Sequence, residues 1–147
     1  MIIYIDTSAL GVVYLGDQSD STELSRIVYE GEHPVITSEL TDVEIASAFA
    51  RVHRDGVIDS VTADGLLARY GADTSDTGPL GVVAVDSDTF ALAQRYGLSA
   101  SLGTLDAIHL AACRRFGDST PDEVRLLSRD NRQNEAARAL GISLAEM

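Results

Sequence analysis

The chain has 147 residues, which is enough for one domain with a sizeable core, and 45% of them are hydrophobic, as in ordinary globular proteins. Its formal net charge of −12 argues against a protein that coats nucleic acid, because phosphate binding needs a basic surface; an enzyme that meets nucleic acid through a metal ion stays open. All eleven Lys or Arg positions are arginines, which excludes mechanisms that need a lysine, such as P-loop phosphate binding, Schiff-base chemistry and lysine-dependent aspartyl-phosphate sites.

Membrane and secretion signals are missing from the sequence. No stretch approaches the roughly 18 unbroken apolar residues of a transmembrane helix. The N-terminus lacks the basic flank and the small-residue cleavage site of a signal peptide. Cys113 is the single cysteine, so neither a disulfide framework nor a cysteine-based zinc site is predicted, and its default role is that of a small core residue. We therefore expect a cytoplasmic protein.

Short apolar runs alternate with longer amphipathic segments along the chain. The runs rich in β-branched residues predict four strands and a short last one, at residues 2–5, 34–36, 81–85, 124–127 and 142–144. Helical spacing and capping residues predict helices at residues 7–15, 21–29, 38–54, 59–70, 88–97, 104–116 and 131–140. This alternation predicts a single α/β domain over residues 1–147, with a parallel sheet covered by helices on both faces.

Acidic residues follow two of the predicted strands. Asp6 comes directly after the first strand and Asp130 follows the fourth, so both leave the sheet at its carboxyl edge, where open α/β sheets bind ligands. Glu44 and Asp106 lie in the first halves of helices that start above the same edge. If the first and fourth strands are neighbours, we expect the four acids to meet.

Carboxylates that are held together repel one another and are costly to desolvate. A hard divalent cation relieves this repulsion, and Mg²⁺ is usually bound by one or two carboxylates together with water and phosphate oxygens. Such an ion polarises a phosphoryl group and lowers the pKa of a bound water. Phosphodiester hydrolysis needs this help, so the pattern predicts a metal-dependent site for that chemistry.

Each of the acids also has a purely structural interpretation. Asp6 and Asp130 can cap the helices that follow them. Glu44 completes the capping-box pattern Thr41-x-x-Glu44. Asp106 lies in the first turn of its helix, where a carboxylate interacts favourably with the helix dipole.

Two other polar positions are interpreted structurally. His109 lies one turn after Asp106, and Asp-x-x-His on one helix face can bind a transition metal. The apolar neighbours Leu110 and Ala111 favour a packed core histidine instead. Ser87-Asp88 follows the third strand and is typical of an ordinary helix cap.

Four parts of the chain together resemble PIN-domain ribonucleases, and within that group the VapC toxins of bacterial toxin–antitoxin pairs. They are residues 5–10 (Ile-Asp-Thr-Ser-Ala-Leu), Glu44, residues 104–111 (Thr-Leu-Asp-Ala-Ile-His-Leu-Ala) and residues 127–130 (Leu-Ser-Arg-Asp). The run Leu-Asp-Ala-Ile-His-Leu-Ala is the most specific part. The resemblance spans nearly the whole chain.

The resemblance implies a three-layer α/β/α fold whose parallel sheet has four to five strands in the order 3-2-1-4-5. It implies an Mg²⁺ or Mn²⁺ site at which four acids are both metal ligands and catalytic residues; these are Asp6, Glu44, Asp106 and, as the fourth, Asp130. Neighbouring polar side chains would support the site by hydrogen bonding; these are Thr7, Ser8, Thr104 and Asn131.

The segment after Asp130 departs from the family pattern. The family often has an aromatic or apolar residue there, whereas this chain has Asn131-Arg132-Gln133-Asn134. Asn131 or Asn134 is then a candidate for supporting the site or contacting substrate. Arg129 and Arg132 flank Asp130 and are candidate contacts to the RNA backbone, with solvent-facing surface charge as the alternative.

The first functional hypothesis is a toxin that acts as a metal-dependent endoribonuclease on a specific RNA. The resemblance also implies a homodimer and a VapB-like antitoxin whose C-terminal segment crosses the active-site groove, and the negative charge of the chain suits an Arg- or Lys-rich partner segment. The alternatives are a non-catalytic binding module of the same fold, and a metal-dependent DNA nuclease or phosphatase that uses the same acids.

Overall fold

Four parallel strands form the sheet at the centre of the computed structural model, which describes all 147 residues. The strands are β1 (Ile2–Ile5), β2 (Val35–Ser38), β3 (Leu80–Val83) and β4 (Val124–Leu127). Their spatial order is β3-β2-β1-β4, so β1 pairs with β2 on one side and with β4 on the other. The strand order reverses at β1, which makes the carboxyl ends of β1 and β4 a topological switch point.

Helices cover both faces of this sheet. They are α1 (Thr7–Leu15), α2 (Ser21–Tyr29), α3 (Glu39–Arg54), α4 (Ser60–Asp73), α5 (Ser87–Ser99), α6 (Thr104–Ser119) and α7 (Asn131–Ala139). Helices α1 to α4 pack on one face, together with Ile3 and Ile5, and α5 to α7 pack on the other face, together with Tyr4. Successive side chains of a strand point to opposite faces, which is why β1 feeds both cores. The predicted three-layer α/β/α architecture is confirmed, and none of the helices has the length and apolar composition that crossing a membrane requires.

The predicted last strand is reduced to a single parallel bridge between Leu126 and Leu144. The backbone N–H of Leu126 donates to the carbonyl of Ser143 at 2.9 Å, and the N–H of Ala145 donates to the carbonyl of Leu126 at 2.8 Å. The chain beyond α7 therefore lies beside β4, at the place of the fifth strand in the order 3-2-1-4-5.

The start of α3 differs from the prediction. β2 continues through Thr37 to Ser38, and α3 begins at Glu39. Thr41 therefore lies inside the helix, where its hydroxyl is 2.8 Å from that of Thr37. The capping-box interpretation of Thr41 and Glu44 is wrong, because neither residue lies at the helix start.

Three other helices extend beyond their predicted ends, and α6 is one of them, since it continues past residue 116 to Ser119. The cap of α5 is Asp86 rather than Ser87-Asp88: its carboxylate accepts from the backbone N–H of Thr89 at 2.8 Å, and the helix runs on through Gly97. Helix α4 continues to Asp73, whose carboxylate accepts a hydrogen bond from the hydroxyl of Tyr14 at 2.7 Å. A contact to α1 thus stabilises a last turn that local sequence did not predict.

The packing of α6 against the sheet gives a first testable prediction. Leu110 in α6 is 0% exposed, so we expect Leu110→Ala to lower the free energy of unfolding by about 2–5 kcal/mol through lost burial and cavity formation. Leu98→Ala in α5 is the matched control, because Leu98 is 88% exposed and its truncation should change stability by less than about 0.5 kcal/mol. Chemical denaturation measures both, and equal effects would contradict the burial of this face of α6.

Candidate active site

A cleft of about 520 Å³ opens at the carboxyl edge of the sheet. The wall of the cleft includes all four predicted acids, which are Asp6, Glu44, Asp106 and Asp130. They come from the β1–α1 turn, from α3, from the first turn of α6 and from the β4–α7 turn. The fold thus brings together four acids that are spread over most of the sequence.

Asp6 is the most deeply buried of the four, with 2% of its surface exposed. Its Oδ1 accepts from the backbone N–H of Ala9 at 3.1 Å and from the hydroxyl of Ser8 at 2.7 Å, so it caps α1. Burial raises the pKa of Asp6, and the hydroxyls of Ser128 and Ser8 oppose that rise. Asp6 therefore both caps α1 and lines the cleft.

Two serines join the turns that carry Asp6 and Asp130. The Ser8 hydroxyl accepts from the backbone N–H of Arg129 at 2.9 Å and lies 3.3 Å from the Ser128 hydroxyl. The Ser128 hydroxyl in turn accepts from the backbone N–H of Asp130 at 3.0 Å. These contacts fix the distance between the two turns at the switch point.

Glu44 is held by polar groups on two other elements. Its Oε1 accepts from the hydroxyl of Thr7 at 2.7 Å and lies 2.5 Å from Nε2 of His109. Burial raises the pKa of Glu44, but the hydrogen bonds and charge of His109 and Thr7 outweigh it, and the net shift is downward. The structure therefore favours an ionised Glu44.

His109 is buried, as predicted, with 3% of its surface exposed, but it is not simply packed among apolar groups. Its Nδ1 lies 2.8 Å from the hydroxyl of Tyr4, and its Nε2 faces Glu44. With a proton on Nε2, the histidine donates to the Glu44 carboxylate, and its Nδ1 shares a hydrogen bond with the Tyr4 hydroxyl. His109 thus links β1 to α3 and orients Glu44.

Asp106 differs from the other three acids because its carboxylate has no hydrogen-bonding partner in the protein. It is half-buried, and burial is the main cause that raises its pKa. The negative charges of Asp130, Asp6 and Glu44 raise the pKa of Asp106 further, with a smaller opposing effect from His109. The side chain is therefore available to a ligand of opposite charge.

Asp130 caps α7, and its Oδ1 accepts from the backbone N–H groups of Arg132 at 2.9 Å and Gln133 at 3.3 Å. Asn134 supports this turn, since its side-chain amide donates to the carbonyl of Ser128 at 3.1 Å. Gln133 lines the cleft and is 1% exposed, and its Nε2 is buried without a hydrogen-bond partner.

Several other predicted site residues do not line the cleft. Thr104 lies at a separate cavity between α5 and α6, and Asn131 and Arg132 are exposed at the start of α7. Arg129 forms an ion pair with Asp20, a residue of the loop between α1 and α2. Of the two asparagines that were candidates to support the site, Asn134 is the one whose side chain contacts the Ser128 turn.

Sequence reasoning missed a second set of polar residues in and around the cleft. Its wall also includes Asp17, Gln18, Ser47, Arg51 and Gln133. The sequence could have predicted one of them, because Arg51 lies seven positions after Glu44 and so falls on the same helix face. Ser128 and Tyr4 had none, because their roles depend on which elements pack side by side.

The acids suit a hydrated divalent cation. No group of three or more His, Cys, Asp or Glu side chains is placed to hold a metal ion by itself. Magnesium does not require one, because it is usually bound through one or two carboxylates and keeps several waters or takes phosphate oxygens. The free carboxylate of Asp106, which lines the cleft together with Asp6 and Asp130, offers the oxygen ligands and the negative charge that such an ion prefers.

The sequence of the chain is similar to those of known proteins. Residues 3–139 match the family model of the PIN domain. The chain is 32% identical over 142 residues to Ribonuclease VapC46 of Mycobacterium tuberculosis, an alignment that covers 97% of this chain and 95% of that protein. It is also 32% identical over 144 residues, with the same coverage, to Ribonuclease VapC35 of the same organism.

Solved structures show the same fold. The crystal structure of Mycobacterium tuberculosis VapC20, described as a sarcin-ricin loop cleaving toxin, matches with a TM-score of 0.69 over 99% of each chain. Because the sequence identity is 17%, this similarity supports the fold alone. With the family match over nearly the whole chain and relatives that are themselves VapC ribonucleases, the chain belongs to the PIN domain family and to its VapC group.

Proposed function

We propose that this chain is the toxin of a type II toxin–antitoxin system and a metal-dependent endoribonuclease that hydrolyses phosphodiester bonds in a specific RNA. The observation that carries the proposal is the carboxylate of Asp106, which has no protein partner and lines one cleft with three other acids. Carboxylates in such an arrangement repel one another, and the Asp106 carboxylate offsets that cost with no hydrogen bond to the protein. A divalent cation would supply the positive charge that balances the acids, and it would attract the negatively charged phosphodiester.

The four acids would bind the metal ion in this reaction. When bound, Mg²⁺ or Mn²⁺ supplies an electrophile for a phosphoryl oxygen and lowers the pKa of a bound water. Asp6, Asp106 and Asp130 are the carboxylates that would hold it, one or two of them directly and the rest through its waters. Glu44 would complete the set, because both of its hydrogen bonds fall on Oε1 and its Oε2 has no hydrogen-bond partner in the protein.

The remaining polar groups hold these ligands in place. Ser8 and the backbone N–H of Ala9 orient Asp6, while Thr7 and His109 orient Glu44. Such surrounding hydrogen bonds restrict the rotamers of metal-binding side chains and increase metal affinity. The names of the two relatives, both ribonucleases, support RNA as the substrate.

The charge of the chain supports the proposed inhibitor. A VapB-like antitoxin that places an Arg- or Lys-rich segment in the cleft would neutralise its carboxylates and block access of RNA. Binding of this kind weakens as salt rises. The homodimer and the cytoplasmic setting remain predictions of the same proposal.

The first prediction of this proposal concerns Asp106. We expect Asp106→Asn to lower the rate of RNA cleavage at least about a hundredfold, because removing a metal-binding charge costs several kcal/mol of transition-state stabilisation. Growth inhibition on expression should be lost as well. The unfolding midpoint should not fall, because this carboxylate has no partner in the protein.

Asp88→Asn is the matched control. Asp88 also lies in the first turn of a helix, but its side chain is 79% exposed and it does not line the cleft. Cleavage and growth inhibition should stay at the level of the unchanged protein. Full activity of Asp106→Asn, or an equal loss in both variants, would contradict the assigned site.

The second prediction concerns the metal. Chelation should abolish RNA cleavage, and added Mg²⁺ or Mn²⁺ should restore it, because Asp6, Asp106 and Asp130 line the cleft and none of them has a cationic partner in the protein. Calorimetry should show binding of the ion to the unchanged protein and much weaker binding to Asp106→Asn. Absence of binding at millimolar metal would favour a non-catalytic module of the same fold.

The substrate class is tested in the same assay. RNA, single-stranded DNA and a small phosphate ester are offered side by side at equal metal concentration. Internal cleavage of RNA alone supports the proposal. Hydrolysis of DNA or of the ester in preference to RNA would assign the same acids to a DNA nuclease or a phosphatase.

A further inference from the structure

The cleft contains a cationic side chain that the metal site does not use. Its charged wall residues are five carboxylates, from Asp6, Asp17, Glu44, Asp106 and Asp130, and one guanidinium, from Arg51. An RNA strand carries a negative charge at every phosphate, so these carboxylates repel the strand on both sides of the bond to be cleaved. A cation at some distance from the acids is needed to attract the adjoining phosphates.

Arg51 lies at that distance. It belongs to the last turn of α3, two turns after Glu44, and Glu44, Ser47, Ala48 and Arg51 line the cleft with one continuous helix face. At 1.5 Å of rise per residue, the backbone of Arg51 is about 10 Å along the helix axis from that of Glu44. The side chain therefore stands beside the acids rather than among them.

The guanidinium of Arg51 is also uncommitted. The ion pairs of the structure involve Arg69, Arg114, Arg115, Arg125, Arg129 and His109, and Arg51 is in none of them. Arg51 is exposed. By contrast Arg129, the arginine nearest to Asp130 in sequence, is paired with Asp20.

We infer that Arg51 binds a phosphate of the RNA next to the one that is cleaved, and so positions the strand across the acids. This rests on the proposed ribonuclease function and adds to it a residue that holds substrate without touching the reacting atoms. Arginine suits the role, because its planar guanidinium makes paired hydrogen bonds to phosphate oxygens. Its effect falls on substrate binding more than on the chemical step.

The test compares Arg51→Gln with Arg54→Gln. Both residues are exposed in the last turn of α3 and both changes remove one charge, so effects of net charge and of the helix dipole are matched; only Arg51 lines the cleft. With a cleaved RNA, Arg51→Gln should raise KM about tenfold and change kcat by less than about twofold. Arg54→Gln should leave both constants unchanged.

Salt dependence supplies a readout that a structural role would not move. RNA affinity is measured at several salt concentrations in the non-cleaving Asp106→Asn background. Loss of one phosphate contact should reduce the slope of log affinity against log salt by about 0.7 for Arg51→Gln, and by nothing for Arg54→Gln. Arg51→Lys should restore most of the slope, because lysine still binds phosphate as a point charge.

The possible results separate the two proposals. Equal behaviour of Arg51→Gln and Arg54→Gln, or a loss of kcat at unchanged KM, would overturn the role of Arg51 and leave the ribonuclease function standing. Failure of the unchanged protein to cleave or bind RNA would overturn the ribonuclease function itself, and with it the role of Arg51.

Discussion

Four carboxylates lie at one edge of the sheet, and surrounding hydrogen bonds to three of them offset part of their mutual repulsion. Asp6 is buried, and hydrogen bonds from Ser8 and from the start of α1 offset part of its desolvation. Asp130 is stabilised in the same way by the start of α7, and Glu44 by Thr7 and His109. Asp106 has no such compensation, and the cation of the proposed function would balance the charge of its carboxylate.

Polar contacts between different helices and strands stabilise the carboxyl edge of the sheet. The Ser8–Ser128 contact joins the turns after β1 and β4, and the series from Tyr4 through His109 to Glu44 joins β1, α6 and α3. The Tyr4–His109 hydrogen bond is buried, where a bond is stronger than in water and an unpaired group is costly, whereas the Ser8–Ser128 contact is exposed. Contacts between elements thus hold Asp6, Asp130 and Glu44 in place.

The segment after Asp130 consists of polar residues, Asn131-Arg132-Gln133-Asn134. Their side chains lie in different environments. Asn134 donates to the Ser128 carbonyl and so supports the turn that carries Asp130, whereas the Gln133 amide is buried with its nitrogen unpartnered. The turn at the fourth acid is thus built from polar contacts rather than from apolar packing.

The sequence by itself determined the α/β class, the four central strands and the placement of the acids at strand ends and helix starts, because these features follow from local periodicity and capping. It also determined the VapC-like motifs around Asp6 and Asp106. Only the tertiary structure decided that His109 orients Glu44, that Arg129 pairs with Asp20 rather than lining the cleft, and that Arg51 does line it. The partners in the first two of these contacts are far apart along the chain, and they meet only because the strand order places β1 between β2 and β4.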